Sequence, residues 1–362
     1  MKLSRVILVV VVVVVIVIAA LVAIGYFFGS SPACTSTWNC GAGYPLQIGG
    51  TYAVAGQQCL SSGTQVVCIG GQDANEGPRS ESYYSSPVSP SSGNITEWGS
   101  EPYSYPQTID SQSCVLYSGY VYCVGGSYND NQDDVASSYY SQLSSSGTLG
   151  NWTSTTAFPI PIDTQSCVAS SSYIYCVGGN NQTDGSNADS VPTSSVWYAA
   201  LSSSGIGSWT HTTAYPTNVY FPSCVTGGGF IFCLGGADAN DNSLGTAYYA
   251  PLSSAGVGAW SQTTAYPVAG SGQACVFFSA YILCVAGQTT GGSSPAYTNA
   301  VYYAPVSPGG IGAWKQAPNF PLSDATECVT ASGNIYCVGG FDGSSVGANS
   351  AVNYASLSTL LG

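Results

Sequence analysis

A cysteine, eight residues, a second cysteine and a pair of small residues recur six times along this chain. The copies are Cys59–Cys68 before Gly70-Gly71, Cys114–Cys123 before Gly125-Gly126, and Cys167–Cys176 before Gly178-Gly179. Cys224–Cys233 before Gly235-Gly236, Cys275–Cys284 before Ala286-Gly287, and Cys328–Cys337 before Gly339-Gly340 complete the set. The first cysteines step by 55, 53, 57, 51 and 53 residues. A fixed period near 50 marks a repeat architecture, in which each unit buries its face against the next.

Each copy encodes a hairpin. In Cys114-Val-Leu-Tyr-Ser-Gly-Tyr-Val-Tyr-Cys123 two β-rich runs flank Ser118-Gly119, which reads as a two-residue turn. That turn sets Tyr117 opposite Tyr120 and Cys114 opposite Cys123. The cysteines fall on a non-hydrogen-bonded pair, where Cα atoms lie about 4.5 Å apart, within the span of a disulfide. Six bridges are therefore expected: Cys59–Cys68, Cys114–Cys123, Cys167–Cys176, Cys224–Cys233, Cys275–Cys284 and Cys328–Cys337. Six pairs of reduced, buried cysteines are the competing reading. Zinc fits less well, because eight intervening residues is not a zinc-finger spacing. Cys34 and Cys40 bracket Trp38 and make a seventh pair.

Downstream of each Gly pair comes a tyrosine segment: Tyr83-Tyr84, Tyr139-Tyr140, Trp197-Tyr198, Tyr248-Tyr249, Tyr302-Tyr303 and Tyr354. One tryptophan follows the first five, at Trp98, Trp152, Trp209, Trp260 and Trp314. An aromatic-Pro step comes next, as in Tyr105-Pro106 and Phe158-Pro159. Four strands per unit is the economical reading: two from the cysteine hairpin, one from the tyrosines, one from the tryptophan.

An apolar strand ending in Gly-Gly, then Tyr, then Trp, at about 50 residues per unit, resembles the kelch-repeat family over residues 34–362. The resemblance implies an all-β, six-bladed kelch-type β-propeller, one blade per repeat. The sixth tyrosine segment lacks its tryptophan. Trp38, ahead of Tyr44-Pro45 and Cys59, supplies it. The first strand of the domain is thus expected to complete the last blade and pair both open edges.

Residues Val6–Phe28 are uncharged and almost wholly apolar, long enough to span a bilayer. The expected layout is a cytoplasmic stretch 1–5, a transmembrane signal anchor 6–28, a linker 29–33 and the propeller 34–362. Lys2 and Arg5 before the apolar run orient the propeller outside the cell membrane as a single-pass protein. A cleaved signal peptide is the rival reading. Seven cysteine pairs suit an oxidising exterior. Sequons at Asn94, Asn151 and Asn181 make these the glycosylation candidates.

Beyond Arg5 the chain carries only Arg79 and Lys315 as basic residues, at a net charge of −13. Nucleic-acid binding needs Lys and Arg against phosphates, so nucleic acid is excluded as a partner. The one histidine, His211, and the absence of an unpaired thiol argue against nucleophilic catalysis. Asp110, Asp163, Asp324 and Glu327 enter the first strands of their blades and leave two-carboxylate glycosidase chemistry open. No catalytic residue is assigned.

With strands A to D counted outward from the axis, the A–B turns are short and the B–C loops long and polar. The B–C and D–A loops share one face. Its binding candidates are Asp73, Asn75, Asp130, Asp133, Asp134, Asp184, Asp238, Asn240 and Asp241, with Tyr220 and Phe221. The alternations Asn129, Asn131, Asp133 and Asp238, Asn240, Asn242 are spaced as oxygen ligands for Ca²⁺, and equally as turn residues. No cofactor beyond that calcium is expected. The functional expectation is a membrane-anchored, extracytoplasmic binding or interaction module for a polar protein surface or a glycan. A carbohydrate-active enzyme on the same scaffold and a self-assembling envelope component are the alternatives.

Overall fold

The protein is a closed ring of six four-stranded blades, described here from a computed structural model. The structure describes residues 34–45, 47–48, 51–52, 54–73, 77–89, 92–128, 133–181, 191–290, 296–322, 327–340 and 349–362. In the second blade strand A is Ser113–Tyr117, B is Tyr120–Val124, C is Ser138–Gln142 and D is Thr153–Ser154. The inner strands follow one another round the axis, and Glu327–Ala331 of the sixth blade returns to Gln58–Ser61 of the first.

The cysteine hairpins have the expected register. Tyr117 pairs with Tyr120 and Cys114 with Cys123. Ser118 and Gly119 both take positive φ, 51° and 79°, the conformation of a type I′ turn whose twist matches the flanking strands. Every blade carries its bridge, with Cα atoms 4.0 to 4.1 Å apart, and Cys34–Cys40 forms the seventh. Fourteen oxidised cysteines point to an extracellular or secreted protein.

The core lies between blades. Along Tyr120–Val124, Val121 and Cys123 pack toward the first blade, while Tyr122 and Val124 pack toward the third. A strand buried on both faces reads as a continuous apolar run, which is what strand B of every repeat is. The Gly pair follows from the same closeness. A side chain at Gly70 would lie 2.6 Å from the carbonyl oxygen of Ile109 in the next blade. Ala286, the one departure, adopts the same left-handed backbone, with φ 57°.

The ring closes as the displaced tryptophan predicts. Asn39–Cys40 pairs antiparallel with Val352–Ser356, Asn39 opposite Tyr354, as strand D of the sixth blade. Trp38 is fully buried beside it.

The expected N-terminal transmembrane helix is corrected. No helix among the described residues is long and apolar enough to cross a membrane. The one helix among them, Leu357–Leu361, has five residues, where a crossing needs about 20. Val6–Phe28 lies outside the described residues.

Candidate functional site: the axial mouth

Three residues before the first cysteine, the chain turns into the left-handed region in blade after blade. Gly56, Ser111, Thr164, Phe221 and Gly272 have φ of 64°, 54°, 53°, 50° and 64°. Their backbones form an arc round the axis across these five blades. Ser111 N–H donates to Gly56 O at 2.9 Å, Thr164 to Ser111 at 3.1 Å, Phe221 to Thr164 at 3.0 Å and Gly272 to Phe221 at 3.2 Å. This arc rims a cavity of about 220 Å³ on the face shared by the B–C and D–A loops.

Two further series of four bonds each support the rim. The residue before the first cysteine accepts the N–H of the next blade's cysteine. Gln58 Oε1 takes Cys114 N–H at 3.0 Å, Ser113 Oγ takes Cys167 at 2.9 Å, Ser166 Oγ takes Cys224 at 3.0 Å and Ser223 Oγ takes Cys275 at 3.2 Å. One residue earlier, a glutamine amide donates to the carbonyl preceding the previous blade's Gly pair. Gln57 reaches Val338, Gln112 reaches Ile69, Gln165 reaches Val124 and Gln273 reaches Leu234, at 2.7 to 2.9 Å. Pro222 breaks that series in the fourth blade. Below the mouth, toward the A–B turns, the axial space is lined by the first cysteine of five blades and by Val168 and Ala169 of the third.

Glu327 is the one ionisable residue among the described lining of the mouth. Its Oε2 accepts Gln58 Nε2–H at 2.8 Å. Removal from bulk water pushes its carboxyl up to about 8, against the pull of that hydrogen bond. Among the described residues no lysine or arginine lines the cavity.

Phe221 is the exception in the rim. Its ring is 42% exposed and stands against Tyr220, with centroids 5.5 Å apart. Tyr220 is itself held by its hydroxyl, which donates to Asp241 Oδ1 at 2.6 Å. A left-handed backbone costs a bulky L-residue roughly 1–2 kcal/mol, and glycine occupies the same place at Gly56 and Gly272. Phe221 is thus a strained, half-exposed aromatic at a position that two sister blades fill with glycine and two with Ser or Thr.

The other sequence candidates divide. Asp73 is 2% exposed and ion-pairs with Arg79, so it holds the loop rather than a ligand. Arg79 thus gives one carboxylate on this face a basic partner. Asp134 is buried and accepts from Ser127 Oγ at 3.4 Å, in a short hairpin where Asp133 opposes Tyr128. Asp238 takes the N–H groups of Asn240 and Asn242 and the amide of Asn242. Those donors, the Asn242 amide foremost, hold its carboxyl below the usual range. This is turn chemistry, with the carboxylate already engaged. Asn240, Asp241 and Asn242 are exposed. Among the described residues no group of three or more His, Cys, Asp or Glu is placed to hold a metal. Asn75, Asn129, Asp130, Asn131, Asp184 and Asp324 lie outside the described residues.

Asp110 and Asp163 sit beside the rim rather than in the cavity lining. Asp110 is 5% exposed, and its Oδ2 has no hydrogen-bond partner. Burial pushes Asp110 up to about 6 and Asp163 up to about 7, the latter also repelled by Asp110. Of the sequons, Asn151 is exposed, while Asn94 and Asn181 are half-buried with their amide oxygens enclosed.

Sequence reasoning missed Glu327 as a mouth residue and missed the glutamine series. Aligning the repeats on the first cysteine exposes both, since Gln57, Gln112, Gln165 and Gln273 then share one column.

No protein-family model matches the chain, and no curated protein matches it. Membership of the kelch-repeat family specifically is therefore not established. Among solved structures the protein is similar to one titled "Structure of YjhT". The TM-score is 0.67, at 11% sequence identity, over 86% of this chain and 95% of that one. At that identity the likeness is one of fold: a six-bladed β-propeller.

Proposed function

We propose that this propeller is a non-catalytic extracellular binding module whose recognition site is the axial mouth on the B–C/D–A face. The observation that carries this reading is the cavity itself. Among the described residues it is rimmed by hydroxyl, amide and aromatic groups, has no Lys or Arg, and holds one carboxyl. Such a site cannot clamp phosphates or carboxylates bidentately. It suits a polar ligand without negative charge, a glycan or a polar protein segment. Loops and strand ends carried on a rigid scaffold are where binding residues concentrate.

The test is to close the mouth. Ser223→Tyr should abolish binding to cell surfaces or to a glycan array while the protein still folds, with a melting temperature lowered only by the loss of the one acceptor for Cys275 N–H. Substitutions in the turn Gly228-Gly229, on the opposite face, should leave binding intact. Binding that survives the first and is lost with the second places the site elsewhere.

A second reading, a glycan-directed hydrolase, draws on Asp110 and Asp163. Two interacting carboxyls with values lifted toward neutrality are a pattern associated with proton transfer. It ranks second because neither lines the mouth and because hydroxyls of Ser111, Ser127 and Thr164 already engage them. Turnover of any glycoside that Asp163→Asn removes would overthrow the non-catalytic reading.

A further inference from the structure

The mouth's lining restricts what can occupy it. Ser113, Ser166 and Ser223 each accept a cysteine N–H from the next blade. With that acceptor role taken, each serine keeps its own O–H proton to donate. Glu327 has one carboxylate oxygen held by Gln58 and a second oxygen beside it. The cavity therefore combines donors with an acceptor and carries no positive charge to hold an anion. An ammonium ion brings donors alone and gives the serine protons nothing to bind. An apolar ligand would strip all of these groups of water without replacing it.

The one aromatic residue among the described lining is Phe221, whose ring meets that of Tyr220 at 5.5 Å. Its backbone adopts φ 50°, where the equivalent residues of two sister blades are glycine. A ligand that matches both features has an apolar C–H face and hydroxyls around its edge, each able to donate and accept.

Taking the mouth as the recognition site, as proposed above, we infer that it receives a neutral pyranose residue. The sugar's C–H face stacks on Phe221, and its hydroxyls bond Ser113, Ser166, Ser223 and Glu327. The chemistry fits a hexose or an N-acetylhexosamine and excludes acidic sugars, which need a basic partner. Phe221 is the specificity-determining residue: it supplies contact area, while the fold at its position asks only for a residue that tolerates a left-handed backbone.

The experiment uses the full chain, with the methyl glycosides of glucose, galactose, mannose and N-acetylglucosamine as probes and tetramethylammonium as the cationic comparison. Saturation-transfer NMR reads which ligand protons contact the protein, and titration gives affinity. At least one glycoside should receive saturation chiefly on its ring C–H protons. Phe221→Gly should weaken it at least tenfold while the melting temperature stays level or rises, because Gly56 and Gly272 already hold that backbone. Phe221→Trp should retain binding.

Equal affinity in Phe221→Gly overturns the stacking assignment. Binding of tetramethylammonium and of no glycoside, blocked by Ser223→Tyr, overturns the ligand class and leaves the mouth as the site. A glycoside bound equally well by Ser223→Tyr is held elsewhere, and then the mouth reading falls with it. Failure of every probe overturns the inference.

Discussion

Trp38 meets Phe320 edge to face, ring centroids 4.9 Å apart, across 282 residues of sequence. The same contact recurs in each blade. Trp98 meets Tyr44, Trp152 meets Tyr105, Trp209 meets Phe158, Trp260 meets Tyr215 and Trp314 meets Tyr266, at 4.9 to 5.2 Å. In every case a tryptophan at the start of strand D rests on the aromatic-Pro step that follows strand D of the preceding blade. The Trp38 pair is the copy that joins the two ends of the domain. Trp38→Ala should cost about 3–5 kcal/mol, the range for emptying a large buried aromatic site. Trp209→Ala, at a partly exposed position, should cost less. Denaturant titration of both variants checks the order, and equal losses would mean that closure adds nothing to Trp38.

Removing one blade's bridge should destabilise without unfolding. Each closes a short loop, worth roughly 2–3 kcal/mol in the chain-entropy model. Replacing Cys167 and Cys176 together with Ala should lower the denaturation midpoint by that amount and leave the other six bridges in place on non-reducing peptide mapping. A bridge between blades in that map would contradict the hairpin register.

Stability should rise on acidification. Burial lifts Glu327 to about 8, Glu101 and Asp163 to about 7 and Asp110 to about 6. A carboxyl whose folded value lies above its unfolded value binds its proton more tightly when folded. Its stabilisation is complete below the unfolded value and is lost as pH rises through the folded one. The window runs from about 4 to about 8. Asp238 opposes the trend, but it sits in a solvent-screened loop. The melting temperature should therefore climb as pH falls from 8 to 5. A flat or inverted profile would show that these carboxyls are hydrated in solution.

The glutamine series predicts a loss and a gain. Gln165→Leu orphans the buried Val124 carbonyl, at about 1–3 kcal/mol. Pro222→Gln restores the missing member of the series and should add about 0.5–1.5 kcal/mol. If the first is neutral, the amide is not tying blades together. Thermal melts of the two single variants decide it.

The fold was legible because its constraints repeat. Cys114 opposite Cys123, and Trp38 opposite the last tyrosine segment, follow from spacing and from counting one missing tryptophan. The site was legible only as a face. Asp73 and Asp238 look like free carboxylates in sequence, yet Arg79 and Asn242 engage them, and no local pattern announces those partners. Phe221 stands in the sequence as a loop residue of the candidate binding face, and its exposure and its φ of 50° beside glycines in sister blades appear only in the structure. Glu327 stands where other blades carry Ser, Gln or Ala, and only the convergence of all strands A on one axis brings it into the mouth.

The pairing of Asn39 with Tyr354 also sets a clock. Tyr354 follows Asn39 by 315 residues, and at about 5–20 residues per second a ribosome needs roughly 15–60 s to travel between them. Throughout that interval the first-made strand waits without a partner, while successive hairpins form behind it. Crowded nascent chains offer one another the same missing edge, so one molecule's Asn39–Cys40 can complete a neighbour's ring. The yield of closed monomers is therefore a race between translation and encounter, and it should fall as expression is raised.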